Sequence, residues 1–155
     1  MVYYAFILGL PIAFSPFGVG SILLAFLLLH FITGLSISLV FQTAHIMPEV
    51  SFPQANENGI VEGERMLHQL ATTSNYAENS HLFSWMIGGL NYQVEHHLFP
   101  DICHVHYRNI APIVKATAAE FNIPYYTKKT FFDALKAHAK MLYQLGRLEM
   151  QPVKA

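Results

Sequence analysis

From Met1 to Pro48 the chain carries no Asp, Glu, Lys or Arg. Within that stretch, Ile22 to Val40 holds thirteen Leu, Ile, Phe or Val residues. A helix over Val19–Phe41 would run about 35 Å at 1.5 Å per residue, enough for a bilayer hydrocarbon core of about 30 Å. The thirteen side chains favour insertion by roughly −4 to −8 kcal/mol, before His30 and the small polar residues subtract their share. The pattern predicts a transmembrane helix. The segment before it, Val2 to Phe14, is shorter and is interrupted by Pro11. Ser15-Pro16-Phe17-Gly18 then reads as a turn, because proline and glycine break helices. Val2–Phe14 is therefore either the second half of a spanning helix or one arm of a tight hairpin.

Beyond Pro48 the pattern changes. Glu49 to Asn79 carries Glu49, Glu57, Glu62, Glu64 and Glu78 against a single basic residue, Arg65. Its Pro53, Asn56, Asn58 and Gly59 predict loop, with a short helix over Glu64–Ala71. Leu82 to Leu98 is apolar and helical in pattern but too short to span, weakened by Gly88-Gly89 and ended by Pro100. It reads as an interfacial or re-entrant helix. The rest predicts a polar tail of two helices. Asn109–Phe121 is one, closing ahead of Pro124. The other is capped by Thr130 with Asp133 three residues on, and it ends at Gly146. Phe131, Leu135, Leu142 and Leu145 recur along it at helical spacing, as a core or interfacial stripe. The expected class is all-α: an integral membrane helical protein divided into 1–48, 49–100 and a helical tail, 101–155.

Composition sharpens this. The chain is 53% hydrophobic and 12% charged, where ordinary soluble domains are about 25% charged. Eight of the nine Lys and Arg residues follow position 100, which by the positive-inside rule places the tail on the cytoplasmic side. A net charge of −1 and the lack of a basic, aromatic-interleaved patch exclude nucleic acid as the expected partner. No basic segment precedes the first apolar stretch and no small-residue cleavage site follows it, so it does not read as a secretory signal. The lone Cys103 offers no intrachain disulfide and fits a reducing compartment.

The candidate chemistry lies in Gln93-Val94-Glu95-His96-His97-Leu98-Phe99-Pro100. On a helix, positions three and four apart are neighbours, so Gln93 stands above both His96 and His97. Adjacent imidazoles point about 100° apart around the axis, which lets one turn serve two metal ions, or one ion and a group that orients its ligand. Imidazole suits iron, copper and zinc alike. The plain alternative is a polar helix end. His45, closing the long apolar segment, is a further candidate ligand, or else an amphipathic side chain reaching water at a membrane boundary. Gln42 and Glu95 are candidates for orienting a ligating ring, with a solvent-facing carboxylate as the alternative for Glu95. His30, in mid-helix, reads as a hydrogen-bond donor facing a neighbouring helix. His104 and His106 read as a solvated turn, and His68, His81 and His138 as surface residues.

The residues around the pair resemble the third histidine box of membrane fatty acid desaturases, in the front-end form Gln-x-x-His-His. The likeness runs from Trp85-Met86-Ile87-Gly88-Gly89-Leu90-Asn91-Tyr92 through Phe99-Pro100 and His104-Val105-His106-Tyr107 to Ile110-Ala111-Pro112-Ile113-Val114. Family members carry two earlier boxes, His-x(3–4)-His and His-x(2–3)-His-His, and no histidine pair before position 93 has either spacing. The chain is thus expected to be the C-terminal portion of such a protein, through truncation, gene splitting or an incomplete reading frame. The resemblance implies a di-iron centre using O2 to place a cis double bond in an acyl-CoA or acyl-lipid. It implies His45, His96 and His97 as ligands, His45 being the family's histidine outside the boxes, and Gln93 as a weak ligand or holder of water. Electrons would come from cytochrome b5 or a ferredoxin. Four ligands cannot saturate two irons, so the chain alone is expected to be inactive. Two alternatives stand beside this: a hydroxylase on the same scaffold, and a non-catalytic membrane remnant or subunit.

Overall fold

The structure, a computed structural model, describes residues 1–61 and 63–147. Glu62 and the tail beyond Arg147, both part of the sequence reading above, lie outside the described residues. The chain forms two compact units, residues 1–39 and residues from 40 onward.

The first unit is a helical hairpin. α1 (Val2–Phe14) turns at Ser15–Gly18, where the Phe17 N–H donates to Ser15 Oγ (3.1 Å), and α2 (Val19–His45) returns. Pro11 does not end α1. A π turn over Ala5–Gly9 precedes it, with the Leu10 N–H donating to the Ala5 carbonyl, and Pro11 falls in the first turn of the resumed α-helix, where no N–H is required of it. The Tyr3 hydroxyl meets His30 Nε2 at 2.6 Å, while the other ring nitrogen, Nδ1, reaches the Phe26 carbonyl at 2.8 Å. His30 does meet the neighbouring helix, but as an acceptor rather than the expected donor: a carbonyl can only accept, so Nδ1 donates to Phe26 and Nε2 takes the Tyr3 hydrogen. Among the described residues α2 is the one helix long and apolar enough to cross a membrane, with 27 residues and a mean hydropathy of 2.3 over its most apolar 18-residue stretch. Most of its apolar side chains, Leu27, Phe31 and Ile32 among them, are exposed.

The second unit comprises α3 (Arg65–Thr72), β1 (Ser74–Tyr76), α4 (His81–Met86), α5 (Gln93–Leu98), a 3₁₀ turn (His104–His106), α6 (Tyr107–Glu120), β2 (Tyr126–Lys128) and α7 (Phe131–Gly146). The protein is mostly helical, as expected, and beside the helices it has two short strands that the sequence reading did not contain, β1 and β2. They pair in parallel, Ser74 with Tyr126, Asn75 with Thr127 and Tyr76 with Lys128. Strands of three residues show no alternation to read, and the pairing joins segments that the sequence reading kept apart.

Three further corrections concern helices. Leu82–Leu98 is not one helix: Gly88 and Gly89 adopt φ of 62° and 73°, a left-handed pair that separates α4 from α5. At Gly89 a Cβ would lie 3.0 Å from His104 Cβ, an unusually tight contact that a side chain could make only by pushing His104 back. In α7 the capping box forms as expected. The buried stripe, however, is Ala134, His138 and Met141, while Leu142 and Leu145 are exposed. His138 is therefore a core residue rather than a surface one, with Nδ1 3.0 Å from the Ile46 carbonyl.

Two apolar clusters hold the unit together. Ala44, Met47, Val50, Tyr76, Ala77 and Ala134 form one around β1. Leu70, Val94 and Val114 form another against α5. The Tyr76 hydroxyl also donates to the Val40 carbonyl (2.8 Å), tying β1 to the last turns of α2.

Candidate metal centre

Two elements meet here. α2 delivers His45 as its last residue, just before Pro48. α5 is six residues long and follows directly from the glycine turn. Both of its approaches are pinned to β1 and the residues after it. The Tyr76 N–H donates to the Asn91 carbonyl (3.1 Å), and the Tyr92 hydroxyl donates to the Glu78 carbonyl (2.6 Å).

His45 Nε2 and His97 Nε2 lie 3.2 Å apart, their rings 5.0 Å between centroids and inclined at 70°. His96 stands beside them, its ring centroid 5.4 Å from that of His97. Its Nδ1 faces the Tyr107 hydroxyl at 3.5 Å. Gln93 is wholly buried. Its amide and the Thr72 carbonyl flank the His45 ring, yet neither Gln93 Nε2 nor Oε1 makes a sound hydrogen bond. Of the sequence candidates, the structure brings His45, His97 and Gln93 together and sets His96 at the edge.

Gln42 and Glu95 are not part of the cluster. Gln42 is exposed. Glu95 is fully buried and turns to Asn75 and Tyr125 instead of a ring, because consecutive helical residues diverge by about 100°. His104 and His106 are exposed, and His81 binds Arg108 at 2.7 Å. Asn75 and Tyr125 are the residues that sequence reasoning missed. Asn75 sits in the polar run Thr72-Thr73-Ser74-Asn75, which looks like loop, and nothing in the pattern marks it as buried.

The electrostatics suit ligation at His97. Burial first, and then coulombic coupling to His45, His96 and Arg65, pushes its pKa down to about 4. At neutral pH the ring is uncharged and offers a lone pair, as metal binding requires. Burial pushes Glu95 up, and the hydrogen bonds from Asn75 and Tyr125 pull it partly back.

Do these residues fit a metal? Among the described residues no group of three or more His, Cys, Asp or Glu side chains is placed to hold one. The 3.2 Å between the two Nε2 atoms suits neighbouring ligands on one ion, since bonds of about 2.0–2.1 Å place such nitrogens about 3.0–3.4 Å apart. The buried, unpaired Gln93 amide beside them is a polar group in want of a partner. The set fits part of a metal site.

The geometry defines a class: a protein in which the end of a long apolar helix and a short, buried helix bring histidines together. The sequence model of the family described as fatty acid desaturase matches residues 1–129. The chain belongs to that family. It is 38% identical over 151 residues to an acyl-lipid (8-3)-desaturase of Physcomitrium patens, covering 97% of this chain and 31% of that protein. It is 38% identical over 145 residues to an acyl-lipid (8-3)-desaturase of Mortierella alpina, covering 94% and 32%. With an sn-1 linoleoyl-lipid 6-desaturase of Synechocystis sp. it shares 32% identity over 148 residues, covering 95% and 41%. The chain therefore spans roughly a third of the length of the curated relatives it matches. No solved structure matches it.

Proposed function

We propose that this chain is the C-terminal section of a membrane-bound, front-end-like fatty acid desaturase, acting with O2 to introduce a cis double bond into an acyl chain. The observation that carries the reading is the meeting of His45 and His97, 52 positions apart in sequence, at 3.2 Å. The relatives named above are called acyl-lipid or linoleoyl-lipid desaturases, which favours an acyl-lipid over an acyl-CoA as substrate.

His45 and His97 would hold iron through Nε2, and His96 would join them by turning from Tyr107. The Gln93 amide would ligate weakly through Oε1 or hold a water. A bound iron centre would supply the O2-derived oxidant that an unactivated methylene demands and side chains lack. The protein's own part is to present neutral imidazoles, to exclude water from Gln93 and Glu95, and to fix the helix that carries the ligands. Electrons would come from cytochrome b5 or a ferredoxin. α2 would span the bilayer, with the histidines and the Lys- and Arg-rich tail on the cytoplasmic side.

Iron content and acyl-lipid desaturation, measured together on the purified chain in detergent, test this. We expect iron to bind at less than two per chain and to be lost in His45→Ala combined with His97→Ala. No desaturation is expected until the remaining ligands are supplied by co-expressed family sequence carrying the two earlier boxes. Iron binding that ignores the double substitution would sink the reading.

A further inference from the structure

α5 is too short to stand alone. Six residues make few intrahelical bonds, and a helix of that length is not self-supporting in water. Its first N–H groups need outside acceptors, and the residue at its N-cap, Tyr92, supplies no side-chain bond. The acceptor comes instead from β1: Asn75 Oδ1 takes the Val94 N–H at 2.9 Å. The same side chain does more. Its Nδ2 donates to Glu95 Oε2 and to the Tyr125 hydroxyl, each at 2.7 Å, with Glu78 Oε1 next at 3.1 Å. Tyr125 in turn donates to Glu95 Oε1 at 2.8 Å. Asn75 and Glu95 are completely buried.

At about 100° per residue, His97 leaves the helix roughly opposite Glu95. Fixing Glu95 on one side therefore fixes where His97 points on the other. The Val94 bond sets the position of the helix along its axis, and the Glu95 bonds set its rotation. From this geometry we infer that Asn75, with Tyr125 behind it, is a positioning residue that aims His97 at His45. The inference rests on the metal reading only for its purpose; the aim itself exists without metal.

Two measurements on the full chain in detergent separate these. The first is the nuclear Overhauser contact between the His45 and His97 rings, observed on histidine-labelled, metal-free protein. The second is the number of imidazole nitrogens on bound Cu²⁺, by electron spin echo, with the Cu²⁺ affinity. We expect the ring contact in the parent chain, its loss in Asn75→Ala and in Asn75→Asp, and its return when Asn75→Asp is combined with Glu95→Gln. That pair exchanges donor for acceptor and leaves the net charge unchanged. Cu²⁺ affinity should fall at least about tenfold in the single variants, the scale seen for groups that orient ligands. The Cu²⁺ signal should drop from two imidazoles to one.

An absent ring contact in the parent chain would overturn the inference. So would a folded Asn75→Ala that keeps both the contact and its Cu²⁺ affinity. If Asn75→Ala does not fold, Tyr125→Phe decides, since it removes one hydroxyl and preserves the ring: contact and affinity unchanged there would overturn the inference equally. A ring contact that depends on Asn75, with no two-imidazole Cu²⁺ signal in the parent, would uphold the positioning role and count against the metal reading.

Discussion

His45 and His97 face each other with Nε2 atoms 3.2 Å apart, although one closes a long apolar helix and the other lies in a six-residue helix beyond α3, β1 and α4. Two uncharged imidazoles can share a single hydrogen there, one ring donating and the other accepting. The same approach suits an ion held between them.

Metal affinity should therefore divide the three histidines unequally in this chain. We expect His45→Ala and His97→Ala each to weaken Co²⁺ binding by at least about tenfold, matching or exceeding the losses known for groups one step behind a ligand. His96→Ala should weaken it less, because that ring turns to Tyr107. Calorimetric titration in detergent gives the three values, and equal losses for all three would contradict the geometry.

The glycine pair should be unequal as well. Any side chain at φ of 62° or 73° is strained, at about 1–2 kcal/mol per residue. At Gly89 the new Cβ would in addition sit 3.0 Å from His104 Cβ, whereas at Gly88 nothing lies within 4 Å. Gly89→Ala should lower the thermal midpoint by clearly more than Gly88→Ala, and the two are compared by circular dichroism.

In α7 the buried and exposed sides can be told apart by truncation. Met141 is 3% exposed and Leu142 48%. Met141→Ala should cost about 2–5 kcal/mol, and Leu142→Ala should stay within about 0.5 kcal/mol. Chemical denaturation of each variant measures both.

The cap of the same helix carries a pH dependence. Thr130→Ala removes the acceptor of the Asp133 N–H and should cost about 1 kcal/mol. The Thr130 hydrogen bond, the largest cause, holds the Asp133 carboxyl below its usual 3.8. The stability it brings is present above pH 3.8 and is lost as pH falls through the lower folded value. The gap in thermal midpoint between the parent and Asp133→Ala should stay constant from neutral pH to about 4 and close below that. A gap that widens in acid would refute the sign.

What the sequence determined by itself is whatever depends on neighbours in the chain. The uncharged stretch to Pro48 fixed a helix apolar enough to span, because transfer energy sums residue by residue. Thr130 and Asp133 fixed the start of α7, and Gln93, His96 and His97 marked the box, because capping and helical faces act over three or four positions. The tertiary structure decided what depends on distant partners. Asn75 looks like loop until Val94, Glu95 and Tyr125 close around it. β1 is no strand without β2, 52 residues on. Gln42 sits one turn before His45 yet is exposed, Glu95 directly precedes His96 yet bonds to Asn75 and Tyr125, and His138 is buried where its spacing suggested surface. Which side of a short helix faces which neighbour is settled by the burial of polar groups that must find partners. That search runs through space and leaves no period in the sequence.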